Sequence, residues 1–225
     1  MTRKALAALF PALSAAALCL WLRDSFLPPM GNLFADRAGT LLALARLAGL
    51  LGALGLMWQL LFMSRADWLA PLRGPSPPLR HHRLGLFIPL LLLAHPALML
   101  AHYSLQSGAS FRRQLAVMLG WSGIPAALLG AAVIIAVVLI SPAPLQRRIP
   151  YPVWRRVHLA VYAGLALAVA HQFSQGGDLS AGKYYFQAVW AALLVFTAAA
   201  SSWYRLLKPA FGQKAPQEPG TPPQG

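Results

Sequence analysis

Charge is scarce in this chain of 225 residues, and most of it carries one sign: Asp and Glu number 5, Lys and Arg 19, and the four together make up 11%. Ordinary soluble domains devote about 25% of their residues to charge, so there is too little here to clothe a water-soluble surface. Cysteine is almost absent as well. The single Cys19 excludes an intrachain disulfide and any multi-cysteine zinc or iron–sulfur site. Leu18 stands before it where a lipoprotein cleavage site needs a small residue, so no lipid anchor is expected there. No Gly-x-Gly-x-x-Gly fingerprint follows a strand pattern, which argues against a dinucleotide-binding unit. Repeats of fixed period are missing too.

Apolar residues are abundant, 58% of the total with a mean hydropathy of +0.56. They gather into runs of about 20, the length that crosses a hydrocarbon core of about 30 Å. The expected class is all-α integral membrane, a six-helix transmembrane bundle with both termini cytoplasmic. A net charge of +14 would suggest nucleic acid in a soluble protein, but its placement points elsewhere. With this topology thirteen basic residues, among them Arg80, Arg83, Arg147, Arg148, Arg155 and Arg156, fall on inner segments. Five (Arg23, Arg37, Arg112, Arg113, Lys183) fall on outer ones, and Arg46 lies within a helix. Thirteen against five follows the positive-inside rule and implies attraction to acidic membrane lipids, with no nucleic-acid partner. The expected location is the cell membrane, multi-pass, as in a bacterial inner membrane.

The first helix is expected over about Ala5 to Leu22; its short basic start is like a signal peptide, but no small-residue cleavage site follows, so it is retained. The second runs inward over Gly39 to Met63, and a proline-rich inner loop between Arg65 and Pro78 leads into the third, which rises outward and ends near Tyr103. The fourth covers Gln114 to Ile140, the fifth Val153 to Phe173 and the sixth Tyr184 to Leu207. Three units follow: 1–38, the first helix and an outer loop; 39–207, the main transmembrane domain; and 208–225, a cytoplasmic tail of Pro, Gly and Gln too polar to order itself.

Ionisable residues inside apolar runs are functional candidates, and His95, within the run Leu84 to Leu100, is the first of them. A helix turns about 100° and rises about 1.5 Å per residue. By the same geometry, the fourteen-residue step from His81 to His95 leaves both side chains within about 40° of one face and roughly 21 Å apart. His82 offers a thirteen-residue alternative. A second segment, opened by Trp154-Arg155-Arg156-Val157-His158, carries His171 thirteen residues on. On an ideal helix that step leaves the rings about 140° apart, so a kink or local loosening is required.

Two helices with two imidazoles each at matching depths suit two stacked haems, each iron held by one histidine from each helix. The expected pairs of metal ligands are His81 with His158 toward the inner surface and His95 with His171 toward the outer. Taken singly, His81, His82 and His158 also fit a basic cluster at lipid headgroups, and His95 and His171 fit satisfied buried histidines; the four together favour haem. Arg46, about 10 Å below the outer surface by helical rise, needs compensation for a cost of about 2.5–3.5 kcal/mol at the centre of a span. A haem propionate would supply it; snorkelling to the surface is the alternative. Gly85, one turn after His81, would let a porphyrin approach the backbone, or else serves helix packing. His102, seven residues beyond His95, is either a donor to an acceptor or propionate, or an interfacial histidine. No catalytic residue is expected apart from these cofactor-binding positions.

In these residues the chain resembles the membrane domain of the ferric reductase and NADPH oxidase superfamily. The matching features are the His81/His95 pair, the His158/His171 pair with its Trp-Arg-Arg-x-His lead-in, and Leu42-Ala43-Leu44-Ala45-Arg46. They cover approximately Arg37 to Arg205, and the signal is in their combined spacing. The resemblance implies two haem b groups held by the third and fifth of six helices, with the arginine of the Leu-Ala-Arg stretch beside the outer haem. It also implies transfer of single electrons from the cytoplasmic side to an external acceptor: ferric iron, oxygen, or a periplasmic protein such as a methionine sulfoxide reductase. The chain departs from the full-length relatives in having no room for a flavin or nicotinamide domain after the sixth helix. A separate flavoprotein reductase or quinol is therefore the expected donor. Two other readings stay open: a non-catalytic scaffold or small transporter with a histidine-lined path for protons or metal, and a quinol-linked cytochrome b unrelated to ferric reductases. For a transporter, Pro89, Pro96 and Pro125 make a poor version of the usual interrupted helices.

Overall fold

The computed structural model describes residues 2–27, 32–64, 66–73, 76–179 and 182–208, and all regular structure among them is helical. Eight of the described helices have nine residues or more: α1 (Arg3–Phe26), α2 (Arg37–Met63), α3 (Pro77–Ser107), α4 (Phe111–Leu119), α5 (Ile124–Leu139), α6 (Tyr151–Leu159), α7 (Val161–Gln175) and α8 (Tyr184–Ser202). Five helical segments are long and apolar enough to cross a membrane, six if the bent pair α4 and α5 counts as one span. The tail expected at 208–225 lies outside the described residues apart from Lys208, as do Arg65 and Lys214.

Local chemistry explains the helix ends. Thr2 accepts from the Ala5 N–H at the start of α1, and Asp36 accepts from the Gly39 N–H at 2.7 Å to cap α2. Such caps satisfy N–H groups that a helix leaves without partners. Proline fits a first turn, where no N–H is needed, and Pro77 and Pro78 open α3 at the end of the proline-rich inner stretch expected to lead into it. Arg80, His81 and His82 are therefore helical, and α3 ends at Gly108, whose φ of 66° is the left-handed stop glycine provides.

The fourth helix differs most from expectation. Instead of one rod from Gln114 to Ile140, α4 and α5 meet at 101°. Gly123, at φ 80°, turns the chain, and Pro125 sits in the first turn of the new helix. A left-handed glycine two residues before a proline stops one helix and starts another, which apolar periodicity alone does not register.

Packing divides the bundle. A core of Phe10, Leu50, Leu54, Met57, Leu61, Trp68, Phe186, Trp190 and Leu193 joins α1, α2 and α8. α3 lies along α2, while α7 lies along α5. Gly130 and Gly164 make the second contact close: a Cβ on Gly164 would come within 2.9 Å of the Gly130 carbonyl oxygen, the small-residue approach common between membrane helices. Leu56, Ile88 and Ile134 tie α2, α3 and α5 together. Direct packing of α3 on α7 is slight, so the two histidine-bearing helices are braced by different neighbours.

Candidate functional site

Four histidines face each other in two pairs across the space between α3 and the α6–α7 span. The rings of His81 and His158 have centroids 6.1 Å apart at 64°, and those of His95 and His171 are 6.3 Å apart at 67°. On α3 the fourteen-residue step does this with little twist. On the opposite span the awkward thirteen-residue step coincides with a break: α6 ends at Leu159, α7 begins at Val161, and Ala160 donates to the Val157 carbonyl three residues back. A three-residue turn advances about 120° per residue instead of about 100°, so the break rotates His171 toward the His158 face.

Each pair is held differently. His95 Nδ1 lies 2.8 Å from the Ala45 carbonyl of α2; a carbonyl only accepts, so Nδ1 carries the proton and Nε2 keeps its lone pair, the arrangement usual for metal-binding imidazoles. Gly49 makes room for this ring, since a Cβ there would come within 2.9 Å of His95 Nδ1. At the other pair Trp154 stacks on His158, centroids 4.9 Å apart at 23°, and Ser141 Oγ lies 3.4 Å from His158 Nδ1. Gln59 donates to the His81 carbonyl at 2.8 Å. Arg205, donating to the Tyr162 hydroxyl at 2.6 Å and the Met63 carbonyl at 3.1 Å, is close enough for its charge to act on both His81 and His158.

The donor set fits haem. With a metal–imidazole nitrogen bond of about 2 Å, His81 and His158 would be able to hold one metal between them and His95 and His171 another, since ring centres 6.1 and 6.3 Å apart leave that room. Among the described residues no three His, Cys, Asp or Glu side chains gather around one point. Each pair would supply two nitrogen ligands, and haem would bring the others itself. The Nδ1 atoms of His81 and His171 are also buried without a hydrogen-bond partner among the described residues, and such orphaned polar atoms call for an explanation.

The other candidates fall elsewhere. His82 is exposed, with no ring contact to another histidine among the described residues. Gly85 opens toward α2, where a Cβ would lie 3.1 Å from Gln59 Nε2, so its smallness serves helix packing at that point. His102 is buried, its Nδ1 2.8 Å from the Ala38 carbonyl; the seven-residue step from His95 thus repeats on α2 as the step from Ala45 to Ala38. Arg46, 6% exposed, pairs with Asp178 in the turn before α8, its Nε 3.1 Å from Oδ2 and its Nη2 on Oδ1. Lys183 lies 3.7 Å from Asp178 and 3.3 Å from Asp24, extending the network to α1. The compensation expected of a propionate thus comes at least in part from a carboxylate of the chain. Asp178, Gly49 and Ala45 were missed as site residues. The cost of burying Arg46 pointed to an anion, expected to be a haem propionate, and nothing in the sequence indicated Asp178.

Residues 48–169 match the family model described as ferric reductase like transmembrane component. The matched region spans α2 from its middle to the second half of α7, and holds His81, His95 and His158, while His171 and Arg46 lie two residues beyond its two ends. No curated protein and no solved structure is similar enough to this chain to count as a match.

Proposed function

The chain belongs to the ferric reductase-like transmembrane family, whose role is of the membrane-oxidoreductase type, and from that premise we propose that it passes single electrons across the membrane through two histidine-held haem b groups. The observation that carries this reading is the pair of imidazole pairs, 6.1 and 6.3 Å between centres, on helices that lean on different neighbours. His81 and His158 would hold one haem, and His95 and His171 the other. Haem, when bound, supplies a one-electron couple whose potential burial, charge and hydrogen bonds adjust.

The chain's own residues give the path its direction. Thirteen basic residues against five support a topology with both termini and the His81/His158 pair on the cytoplasmic side. The donor is then a separate flavoprotein or quinol on that side. The acceptor, an external one such as ferric iron, oxygen or a periplasmic reductase, is met at the Arg46 end. Ala45 fixes the proton of His95 on Nδ1, and Arg46, the next residue, is tied by its guanidinium to Asp178 in the turn before α8.

Absorption spectra of the purified protein with and without dithionite test this, together with a haem count. Two b-type haems per chain are expected, with one lost on His95→Ala or His171→Ala. A protein with no b-type signal, or one whose full signal survives loss of both residues, would overturn the reading.

A further inference from the structure

The His81/His158 pair is joined to the protein surface by a line of stacked rings. Tyr151, Trp154 and His158 lie on one face of α6 at steps of three and four. Tyr151 stacks on Trp154 (5.9 Å, 26°), Trp154 on His158 (4.9 Å, 23°), and His158 faces His81. Tyr151, at the surface end of the line, is 65% exposed. The indole Nε1 of Trp154 is buried without a partner among the described residues, so no hydrogen bond of that group explains why the ring lies there. Interfacial aromatic belts place Tyr and Trp at this level, but a belt does not require the rings to stack in line and end on a histidine of the site.

Around this line the surface is basic. Arg80, Arg83, Arg147, Arg148, Arg155 and Arg156 are all exposed, and none is in an ion pair among the described residues. No Asp or Glu occurs anywhere between Asp67 and Asp178. Lipid phosphates can answer the arginines nearest the bilayer. Arg147, Arg148 and Arg155 instead flank Tyr151 on the short connection and first turns of the span, where a ring that an electron can reach sits inside a field of one sign. Such a field draws an oppositely charged protein and raises its association rate, with a steep loss in salt. Electron-transfer encounters also need only a small interface.

Building on the proposed electron path, we propose that this face is the docking surface for an acidic, soluble one-electron carrier protein, with Tyr151 and Trp154 as the bridge to the His81/His158 pair. The donor loses one electron and the group held by that pair gains it; no bond is made or broken and no proton is transferred. Trp154 acts through His158 and is a positioning residue.

The probe is reduced flavodoxin, an acidic flavoprotein, presented to the full chain in nanodiscs of zwitterionic lipid. Binding is read by surface plasmon resonance at low and high ionic strength, and electron arrival by stopped-flow absorbance. Binding should weaken about tenfold or more in Arg155→Gln/Arg156→Gln and in Arg147→Gln/Arg148→Gln, and likewise in high salt. Trp154→Leu should bind flavodoxin normally yet receive electrons at least about tenfold more slowly, with Trp154→Phe restoring most of the rate by keeping an aromatic ring in the line. Binding insensitive to salt and to both arginine pairs would mean that the arginines answer only lipid headgroups, and the docking surface would be lost. A rate indifferent to Trp154→Leu would remove the bridge. Dithionite separates the two levels: no haem signal with it defeats the proposed function itself, whereas a normal dithionite spectrum with arginine-independent binding defeats only this inference.

Discussion

Replacing Gly49 with alanine should unseat His95 and cost the outer pair its haem while the inner pair stays loaded. The added Cβ would stand 2.9 Å from His95 Nδ1 and 3.1 Å from Cε1, whereas non-bonded heavy atoms rest at about 3.5–4.0 Å. The ring must retreat by roughly half an ångström or more on that scale, which pulls Nδ1 away from the Ala45 carbonyl, now at 2.8 Å. The lost hydrogen bond is worth about 0.5–1.5 kcal/mol, and removing such a partner from a metal-bound histidine lowers affinity by about 10–100-fold. Helix propensity works the other way, since alanine favours a helix over glycine by about 1 kcal/mol, so α2 itself is not weakened. Haem titrated into haem-depleted protein and followed by absorbance should give two equivalents for the wild type. The variant should show one tight equivalent and a second weakened by about 10–100-fold. Gly52→Ala is the control: its Cβ would meet the Leu91 side chain at 3.6 Å, an ordinary contact, and both sites should survive. A Gly49→Ala protein that binds both equivalents as tightly as the wild type would refute the reasoning.

Other perturbations probe different parts of the structure. Asp178→Asn leaves the buried guanidinium of Arg46 facing an amide; breaking a buried ion pair costs about 3–5 kcal/mol, so thermal unfolding in detergent should begin well below the wild-type midpoint, and an unchanged midpoint would contradict the pair's role. His158→Ala should halve the haem count and His82→Ala should leave it at two; equal loss from both would mean the inner ligand has been misassigned. Gly164→Ala puts a methyl 2.8 Å from Ile134 Cγ1 and 2.9 Å from the Gly130 carbonyl oxygen, overpacking that costs about 1–3 kcal/mol. A drop in unfolding temperature should report it, and a variant as stable as the wild type would show that α5 and α7 tolerate wider spacing.

The membrane spans were legible because hydropathy acts over 20-residue windows and needs no long-range information. The histidine pairs were legible for a related reason: two steps of thirteen and fourteen residues on two apolar helices fix depth along the bilayer. Even the strain of the thirteen-residue step could be read, although the sequence did not show that Ala160 is where it is relieved. The bend at Gly123 was hidden because Gly and Pro are tolerated inside membrane helices, so neither residue by itself marks a break. Asp178 carries no sequence signal as the partner of Arg46, since the two lie 132 positions apart and pairing across such a separation leaves no local pattern. Gly49 looked like any small residue in an apolar helix; its role appears only once the ring of a second helix is set against it.

The tie between Arg46 and Asp178 also governs how this protein can be made. The ribosome delivers the arginine first, and at about 5–20 residues per second the 132 positions between the two take roughly 7–26 s to synthesise. Throughout that interval the second span carries an arginine whose carboxylate partner does not yet exist, and an arginine at the very centre of a span costs about 2.5–3.5 kcal/mol to insert, an upper bound for Arg46, which lies nearer one surface. The pair that ties α2 to the turn before α8 can therefore close only after that turn has been synthesised.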